Sequence, residues 1–348
     1  MTMNASPRIV SLGTAVPPTL LPQEQILGHL ARHFPLYNNP RVRQIFLNAD
    51  IDTRHLALAP DQFRPDNTAD DLHGVFRQHS QELGKRAACG ALHDAGIGAG
   101  DIDLIVVATC TGYLCPGLSA RLAGELGMKE NLQRADVVGM GCAGAMPALQ
   151  RANDFVRAYP DKRALVVTVE VSSACWFVDD TVETVVGNAI CADGAAAAVV
   201  AMGAGRGPCL ERFETVLDTS YLESVGFSFA GGKNRIVLDS RLRNDAGPMV
   251  RKAVDNLLER EGMAVEAIDH WVVHAGGRKV LDSIGDSLGF HGGELRNSRE
   301  ILRTHGNMSS PTVLFVLREA LAGAQPGALG VMIALGPGLA AEVALLRW

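Results

Sequence analysis

Cys142 is the first residue of the chain whose setting suggests chemistry. It follows the apolar run VVGMG and precedes the small-residue stretch AGAMPALQ, so we expect it at a turn between a strand and a helix. The N-terminus of a helix carries partial positive charge and favours a thiolate. Cysteines at tight turns are also common as plain packing residues, so the thiol needs partners before it can be interpreted as a nucleophile.

His274 and Asn307 are the candidate partners of that thiol. His274 ends the apolar run HWVVH before Ala-Gly-Gly, which predicts an imidazole at the carboxyl end of a strand, where open α/β sheets place their sites. Asn307 lies in HGNMSSP, a turn that leads into an apolar helix, where it would cap the helix or direct its amide at a ligand. A thiolate accepts an acyl group, and two N–H donors can hold the oxyanion of an enolate. The three residues together suit decarboxylative Claisen condensation.

A papain-like protease also uses cysteine, histidine and asparagine, so the surrounding elements must decide. Short apolar runs such as DLIVVATCTG, RALVVTVEVSS and AAAAVVAMG alternate with helical patterns such as QELGKRAACGALHDAG. This alternation predicts an α/β protein with central sheets covered by helices. The same rhythm repeats after GAGRGP, which predicts two similar halves, residues 1–205 with Cys142 and residues 206–348 with His274 and Asn307. The polar segment 60–74 is expected to be a surface loop.

Composition excludes several other classes of protein. A net charge of −6 without a long basic stretch argues against nucleic-acid binding. No apolar run reaches the length of a membrane span, and the first residues do not resemble a signal peptide, so we expect a cytoplasmic protein without membrane contact. Seven cysteines in an apparently unsecreted chain make a disulfide framework improbable, and no zinc-type spacing indicates a metal site.

Four motifs in order resemble those of the type III polyketide synthases, the chalcone synthase-like enzymes: GMGCAGA, VVHAGGRKVLD, HGNMSS and LGPGLAAEVALLRW. The resemblance covers essentially the whole chain. It implies a thiolase-like fold with a layered αβαβα core and a homodimer. It also implies malonyl-CoA and an acyl-CoA starter as substrates, with no metal or redox cofactor.

The resemblance also implies roles for single residues. Cys142 would hold the starter and the growing polyketide, while His274 and Asn307 would stabilise the enolate, and His274 would also help to keep Cys142 ionised. Gly336 and Gly338 match scaffold glycines that allow close backbone approach around the site.

Substrate-binding residues follow from the same comparison. Cys110 resembles a cysteine that bacterial tetrahydroxynaphthalene synthases carry beside the catalytic one. Phe229 matches a gatekeeper phenylalanine of the cavity, and either Trp176 or Phe177 matches the other gatekeeper; each is equally consistent with core packing. Three further residues, Arg41, Arg43 and Arg54, lie where the family binds the phosphates of coenzyme A; taken singly, each is also consistent with a solvated face.

Within the family, FLNADIDTRHLAL, QRADVVGMGC and the C-terminal tryptophan most resemble 3,5-dihydroxyphenylacetyl-CoA synthases, in which malonyl-CoA is both starter and extender. Two departures from the plant pattern, Ala275 for proline and Leu335 for phenylalanine, are expected to alter the cavity wall. Alkylresorcinol, alkylpyrone or tetrahydroxynaphthalene formation is the alternative. A ketoacyl synthase III-like enzyme making a single condensation, and a catalytically silent thiolase-fold subunit, are further alternatives that HAGG and the intact triad disfavour.

Overall fold

The computed structural model describes residues 6–58, 62, 64, 66–176, 178, 183–203, 205, 207–239 and 241–348. Phe177, one of the two candidates for a gatekeeper, lies outside the described residues. Within the described part of the chain, helices and strands alternate as predicted for an α/β protein. None of the helices described is long and apolar enough to cross a membrane.

The strands, in chain order, are β1 (Arg8–Ala15), β2 (Leu20–Pro22), β3 (Thr53–His55), β4 (Leu104–Thr109), β5 (Gln133–Val138), β6 (Ala164–Val171), β7 (Asp193–Ala201), β8 (Cys209–Tyr221), β9 (Val225–Ala230), β10 (Lys233–Leu238), β11 (His270–Val273), β12 (Leu329–Gly336) and β13 (Gly338–Arg347). The helices are α1 (Gln23–His33), α2 (Pro40–Leu47), α3 (Ala69–Ala95), α4 (Leu118–Leu126), α5 (Ala145–Ala158), α6 (Glu183–Ile190), α7 (Leu242–Glu261), α8 (Arg278–Leu288), α9 (Arg296–His305) and α10 (Thr312–Leu321).

One mixed sheet joins the two halves of the chain, in the order β11-β12-β13-β8-β1-β7-β6-β4-β5. β1 meets β8 at the centre, where Arg8 pairs with Cys209. Outward from β1, two antiparallel pairings (β1 with β7, β7 with β6) are followed by the parallel pairing of β6 with β4. Outward from β8 the order is the same, with β13 and β12 antiparallel and β11 parallel to β12. The predicted similarity of the halves is therefore a similarity of strand topology.

Helices α5 and α10 form the middle layer between the two halves of the sheet. α5 packs on β4, β6 and β7 of the first half and also contacts β13 of the second, while α10 contacts β1, β7, β11 and β12. Their apolar faces share one buried cluster, which includes Leu149, Phe315 and Met332. α3 covers the outer face of the first half, and α7 covers the outer face of the second with α8 packed against it. The result is the predicted αβαβα layering.

The segment 60–74 is not a loop throughout, as the sequence analysis expected. α3 begins at Ala69, because Thr68 and Asp71 form a capping box in which the Thr68 side chain accepts from the Asp71 N–H and the Asp71 carboxylate accepts from the Thr68 N–H. Part of the polar composition that suggested a loop is that of the exposed first turn of a long helix. Residues 60, 61, 63 and 65 lie outside the described residues.

Candidate active site

The carboxyl ends of β4, β5, β6, β11 and β12 open on one cavity of about 540 Å³. Cys142, His274 and Asn307 all line it. They come from three separate connections: the turn after β5, the end of β11, and the loop between α9 and α10. The structure thus brings together the three residues that sequence analysis selected for their chemistry.

Cys142 sits in a single 3-10 turn, Gly141–Ala143, between β5 and the start of α5, as expected. Gly141 has φ +49°, and a Cβ there would lie 2.6 Å from Pro337 Cδ. A Cβ on Gly336 would lie 2.8 Å from Ala143 Cβ. Both glycines are therefore required by close approach of the β12–β13 turn to the cysteine turn, which matches the role predicted for Gly336.

The Asn307 amide is fixed in one orientation beside the thiol. The Ser309 N–H donates to Asn307 Oδ1 at 2.8 Å, so the amide nitrogen is the atom left to donate. Asn307 Nδ2 donates to the Gly276 carbonyl at 3.1 Å and lies 3.9 Å from Cys142 Sγ. Its backbone is held in a bridge to Cys191. Asn307 Oδ1 also lies 3.9 Å from Cys142 Sγ. Because an amide nitrogen carries two hydrogens, one remains to donate after the bond to Gly276.

His274 presents a buried imidazole to the cavity. Its backbone N–H donates to the Ile333 carbonyl at 2.8 Å, which fixes the residue at the end of β11. The side chain is buried, and among the described residues neither ring nitrogen has a hydrogen-bond partner. Burial lowers the pKa of His274 to about 4. At neutral pH the ring is therefore an uncharged imidazole with one N–H to donate.

Burial disfavours the thiolate form of Cys142. Burial raises its pKa above the usual value, and hydrogen bonds from the Ser309 and Asn307 side chains offset only part of that effect. The buried carboxyl of Glu170 raises it further. Burial thus opposes the ionisation of Cys142 that was expected from the helix terminus and His274.

Glu170 is a fully buried carboxyl on β6 that the sequence analysis did not select. Its oxygens accept from the Cys110 N–H at 2.9 Å, the Thr111 N–H at 3.0 Å and the Ser310 hydroxyl at 2.6 Å. It thereby ties the loop after β4 to the loop after Asn307. A single charged residue in the otherwise apolar run ALVVTVEV was the signal that could have identified it.

Cys110 lines the cavity, as the resemblance implied. Its Sγ lies 3.4 Å from the Ser309 hydroxyl, and burial and the carboxyl of Glu170 raise its pKa well above the usual value. Cys191, which the sequence analysis did not select, lines the same cavity, and burial raises its pKa to about 12. Three thiols thus face one cavity, and Cys142 is the one within reach of the Asn307 amide.

The three predicted phosphate-binding arginines have different environments. Arg43 is exposed and is not among the described residues that line the cavity. Arg41 is exposed and lines the cavity mouth. Arg54 is fully buried, and its guanidinium donates to the Gln23 amide oxygen and to the carbonyls of Asn188 and Cys191. The prediction that Arg54 binds coenzyme A phosphates is therefore wrong, because its side chain is enclosed by protein and does not reach the mouth.

Only some of the residues predicted to form the cavity wall line the cavity. Trp176 is buried in the core, with the Arg54 guanidinium 5.3 Å from its ring centre, and is not among the described residues that line the cavity. Phe229 is 79% exposed on β9, whereas Phe227, two residues earlier on the same face, lines the cavity. Leu335 lines the cavity as expected.

Two further predicted positions lie behind the wall. Ala275 is fully buried in the core beneath β11 and β12, outside the described lining. Gly338 also lies outside that lining and begins β13 with φ +69°, a conformation that favours glycine.

Basic side chains rim the mouth of the cavity. Arg243 at the start of α7 and Lys279 in the first turn of α8 line it together with Arg41. The nearby Asp239 is already engaged, because the Arg241 guanidinium donates to its carboxylate at 2.9 Å. In the described part of the chain there is no group of three or more histidine, cysteine or acidic residues suited to a metal ion.

Comparison with known proteins agrees with this geometry. The family model for the N-terminal domain of chalcone and stilbene synthases matches residues 2–205, and the model for their C-terminal domain matches residues 222–348. A 3,5-dihydroxyphenylacetyl-CoA synthase of Amycolatopsis balhimycina is 34% identical, over 98% of this chain and 93% of the relative. A 1,3,6,8-tetrahydroxynaphthalene synthase of Streptomyces peucetius subsp. caesius is 33% identical, over 98% and 93%.

Solved structures show the same relationship. The 1,3,6,8-tetrahydroxynaphthalene synthase of Streptomyces coelicolor A3(2) superposes with a TM-score of 0.91 at 29% identity, covering 98% of this chain and 99% of that one. PKS-I of the brown alga Ectocarpus siliculosus superposes with a TM-score of 0.92 at 27% identity, covering 99% and 98%. This chain belongs to the chalcone and stilbene synthase family, and it is a type III polyketide synthase, an acyltransferase that performs decarboxylative Claisen condensation.

Proposed function

We propose that this enzyme condenses malonyl-CoA repeatedly on an acyl group bound to Cys142 and cyclises the chain, with malonyl-CoA as both starter and extender. The proposed product is of the 3,5-dihydroxyphenylacetyl-CoA type. The observation that carries the proposal is the position of the Asn307 amide nitrogen, 3.9 Å from Cys142 Sγ in a cavity that it shares with the unpartnered imidazole of His274.

In the first step, Cys142 Sγ attacks the thioester carbonyl of the starter. The acyl–sulfur bond to the enzyme forms, the bond to coenzyme A breaks, and the thiol proton passes by way of the His274 ring to the departing coenzyme A sulfur. Both residues line the same cavity, and passing the proton on to coenzyme A leaves no net charge in the buried site. His274 then acts first as proton acceptor and afterwards as donor.

In the second step, malonyl-CoA loses carbon dioxide and the electron pair of the broken bond forms a thioester enolate. Asn307 Nδ2 and the N–H of neutral His274 donate to its oxyanion. The enolate carbon attacks the acyl carbonyl on Cys142, and the Cys142 sulfur leaves and regains a proton. Loss of carbon dioxide drives the step, so the chemistry proposed needs no metal or redox cofactor.

The basic rim supports coenzyme A thioesters as the substrates. Arg41, Arg243 and Lys279 surround the mouth of the cavity that contains Cys142. Phosphate groups are what a cluster of exposed cations binds best. We propose that these three side chains hold the phosphates while the thioester reaches the thiol inside.

The similarity to three 3,5-dihydroxyphenylacetyl-CoA synthases, each 32–34% identical over 98% of this chain, supports malonyl-CoA as starter. One observation favours a second candidate, an alkylresorcinol or alkylpyrone synthase. Part of the cavity wall is aliphatic, from Ile45 on α2, Ile190 on α6, Ile236 on β10 and Ile284 on α8. Such a wall could stabilise an alkyl starter by about 0.8 kcal/mol per buried methylene.

Product analysis separates the two candidates. The enzyme is incubated with malonyl-CoA alone and with malonyl-CoA plus acetyl-, hexanoyl- or dodecanoyl-CoA, and the products are identified by mass spectrometry. We expect an aromatic product from malonyl-CoA alone and little gain from the added starters. Faster turnover with dodecanoyl-CoA and alkylated products would replace the malonyl-starter proposal with the second candidate.

Cys142→Ala serves as the control in that experiment and should form no polyketide. A product with a single added two-carbon unit would identify a ketoacyl synthase III-like enzyme. Failure of the parent enzyme to release carbon dioxide or free thiol would identify a catalytically silent subunit.

We also propose a cytoplasmic homodimer. β5 is the last strand of the sheet, and Val138 at its end and Tyr113 nearby are 53% and 70% exposed. An uncovered edge strand invites pairing, and a second copy related by a twofold axis would extend the sheet. All seven cysteines are free thiols, which fits a reducing compartment. Light scattering at several protein concentrations should give twice the mass of one chain.

A further inference from the structure

Arg54 is a buried cation whose position the reaction scheme does not explain. Its side chain is fully buried, and Nε donates to Gln23 Oε1 at 2.9 Å. Among the described residues its hydrogen-bond acceptors are an amide and two backbone carbonyls, with no carboxylate within ion-pairing distance. Burial lowers the pKa of Arg54, and the buried carboxyl of Asp193, which lies beyond ion-pairing distance, offsets only part of this effect. The buried Arg54 guanidinium must therefore serve a purpose other than an ion pair with a described carboxylate.

Arg54 binds the backbone of the segment that pairs with Asn307. Its Nη1 donates to the carbonyls of Asn188 at 2.8 Å and Cys191 at 2.6 Å. The same segment forms two backbone hydrogen bonds with Asn307. Ile190 O accepts from the Asn307 N–H, and the Ala192 N–H donates to Asn307 O, each at 2.8 Å. We call residues 188–192 the clamp segment, because its backbone holds that of Asn307.

The stem of Arg54 completes the arrangement. Gly306, the residue before Asn307, approaches the Arg54 side chain so closely that a Cβ there would lie 2.9 Å from both Arg54 Cγ and Cδ. Gly306 also has φ +72°. One side chain therefore packs against the residue before the amide and binds the segment that clamps the amide's own backbone.

We propose that Arg54 is a positioning residue, which sets the place of the Asn307 amide through the clamp segment and Gly306 and so controls stabilisation of the enolate. It touches neither substrate nor reacting atoms. The inference rests on the proposed role of Asn307.

The test measures release of carbon dioxide from malonyl-CoA by Arg54→Met and Arg54→Lys. Methionine keeps an apolar stem without donors, and lysine restores one cation. We expect kcat to fall about 10- to 100-fold in Arg54→Met, somewhat less than for loss of the oxyanion donor itself. KM should stay within about twofold, and Arg54→Lys should recover part of the loss.

Leu83→Ala is the matched control for general destabilisation. Leu83 is buried on α3 against the outer face of the sheet, in a cluster that does not include the clamp segment. It should lower the melting temperature while leaving kcat nearly unchanged below the unfolding transition. If Arg54→Met does not fold, Arg54→Lys alone carries the comparison, and a kcat equal to that of the parent enzyme would overturn the inference.

Combination with Asn307→Ala distinguishes positioning from an independent effect. If Arg54 acts through Asn307, then Arg54→Lys should change kcat little once Asn307 is already alanine, so the two effects should not add. Hydrogen exchange supplies a readout apart from activity: the amides of Ala192 and Asn307 should exchange faster in the Arg54 variants, while those of β4 and β6 should not.

The possible failures are distinguishable. Normal decarboxylation in Asn307→Ala would refute the proposed role of Asn307 itself. A large loss in Asn307→Ala with none in either Arg54 variant would refute only the inference about Arg54. Fully additive losses, or unchanged exchange at Ala192 and Asn307, would also refute it.

Discussion

The two hydrogen-bond donors proposed for the enolate, Asn307 and His274, already have an available donor group in the structure without substrate. The oxygen of the Asn307 amide is occupied by the Ser309 N–H, which leaves its nitrogen to donate, and the ring nitrogens of His274 are buried without a partner among the described residues. A buried polar group without a partner costs free energy that a bound ligand can recover. This arrangement supports the proposal that the two side chains bind the enolate, whose charge develops during the reaction.

Asn307→Ala should slow decarboxylation of malonyl-CoA by about 10²- to 10³-fold, the usual cost of removing one oxyanion donor. Transfer of a starter to Cys142 should survive, because the thiol and His274 remain. Carbon dioxide release reports the first effect, and the mass of the acylated protein reports the second. Loss of acylation together with decarboxylation would mean that Asn307 also supports the nucleophile.

His274 should make the fold sensitive to acid. Its pKa is about 4 in the folded chain against 6.5 for an ordinary histidine, so below pH 6.5 the unfolded chain binds a proton that the folded chain does not. Stability is therefore full above pH 6.5 and is lost as the pH falls toward 4. The expected loss between pH 7 and pH 5 is about 2 kcal/mol.

Denaturant unfolding of His274→Gln at both pH values checks this assignment. The variant lacks the titrating ring, so its stability should fall less than that of the parent enzyme over the same interval. His93→Gln is the control, since the His93 side chain is 89% exposed. Equal acid sensitivity in His274→Gln and the parent enzyme would contradict the assignment.

At the scale of secondary-structure elements, Cys142 and Asn307 are positioned by close contacts between connecting segments of different elements. The turn between β12 and β13 presses Gly336 and Pro337 against the 3-10 turn of Cys142, and Asn307 is bridged to the residue that follows α6. Cys142 and Asn307 are thus each held by an element distant in sequence. Precision in the site depends on the approach of these backbones as much as on the catalytic side chains.

Gly336→Ala should displace the cysteine turn. A new Cβ would lie 2.8 Å from both Ala143 Cβ and the Met140 carbonyl, so one backbone must shift, at a cost of about 1–3 kcal/mol in stability. Acylation of Cys142 should slow because its sulfur moves relative to the donors. Gly124→Ala on α4 is the control: a Cβ there has open space, and alanine favours a helix, so its stability should be unchanged or higher.

The sequence predicted elements better than it predicted the cavity wall. Buried strands such as β4 and β6 are short continuous apolar runs bounded by turn signals, and these features identified them. Cys142, His274 and Asn307 each follow such a run or lie in a turn. Arg54 was misassigned because a motif gives the type and order of residues but not their burial. Phe227 and Phe229 share one face of β9, so only the placement of the β9–β10 hairpin decides which reaches the cavity.

At the scale of the whole molecule, the net charge of the protein is negative, whereas the mouth of its cavity is positively charged. The chain carries a net charge of −6, which repels a polyanionic substrate such as a coenzyme A thioester. Arg41, Arg243 and Lys279 concentrate positive charge at the mouth instead. A local patch of one sign can attract a ligand against the net charge when it lies closer than the screening length, about 8 Å at physiological salt.

This arrangement predicts that the mouth recognises the phosphates rather than the acyl group. Lys279→Gln and Arg243→Gln should each raise the KM for malonyl-CoA about two- to fivefold, the contribution of one exposed ion pair, with kcat unchanged. The KM of the parent enzyme should rise with added salt, and the slope against salt concentration should be smaller in each variant. Arg278 should matter less, because its guanidinium already faces Asp50 at 3.7 Å.

A substrate without phosphates provides the decisive comparison. With the malonyl thioester of N-acetylcysteamine, both variants should match the parent enzyme at every salt concentration, since the cations have nothing to bind. Lys252→Gln removes an exposed cation from α7 outside the cavity lining and should leave the KM for malonyl-CoA unchanged. If both rim variants lose affinity for the phosphate-free thioester as well, the side chains shape the cavity itself, and the phosphates of coenzyme A must be bound elsewhere on the surface.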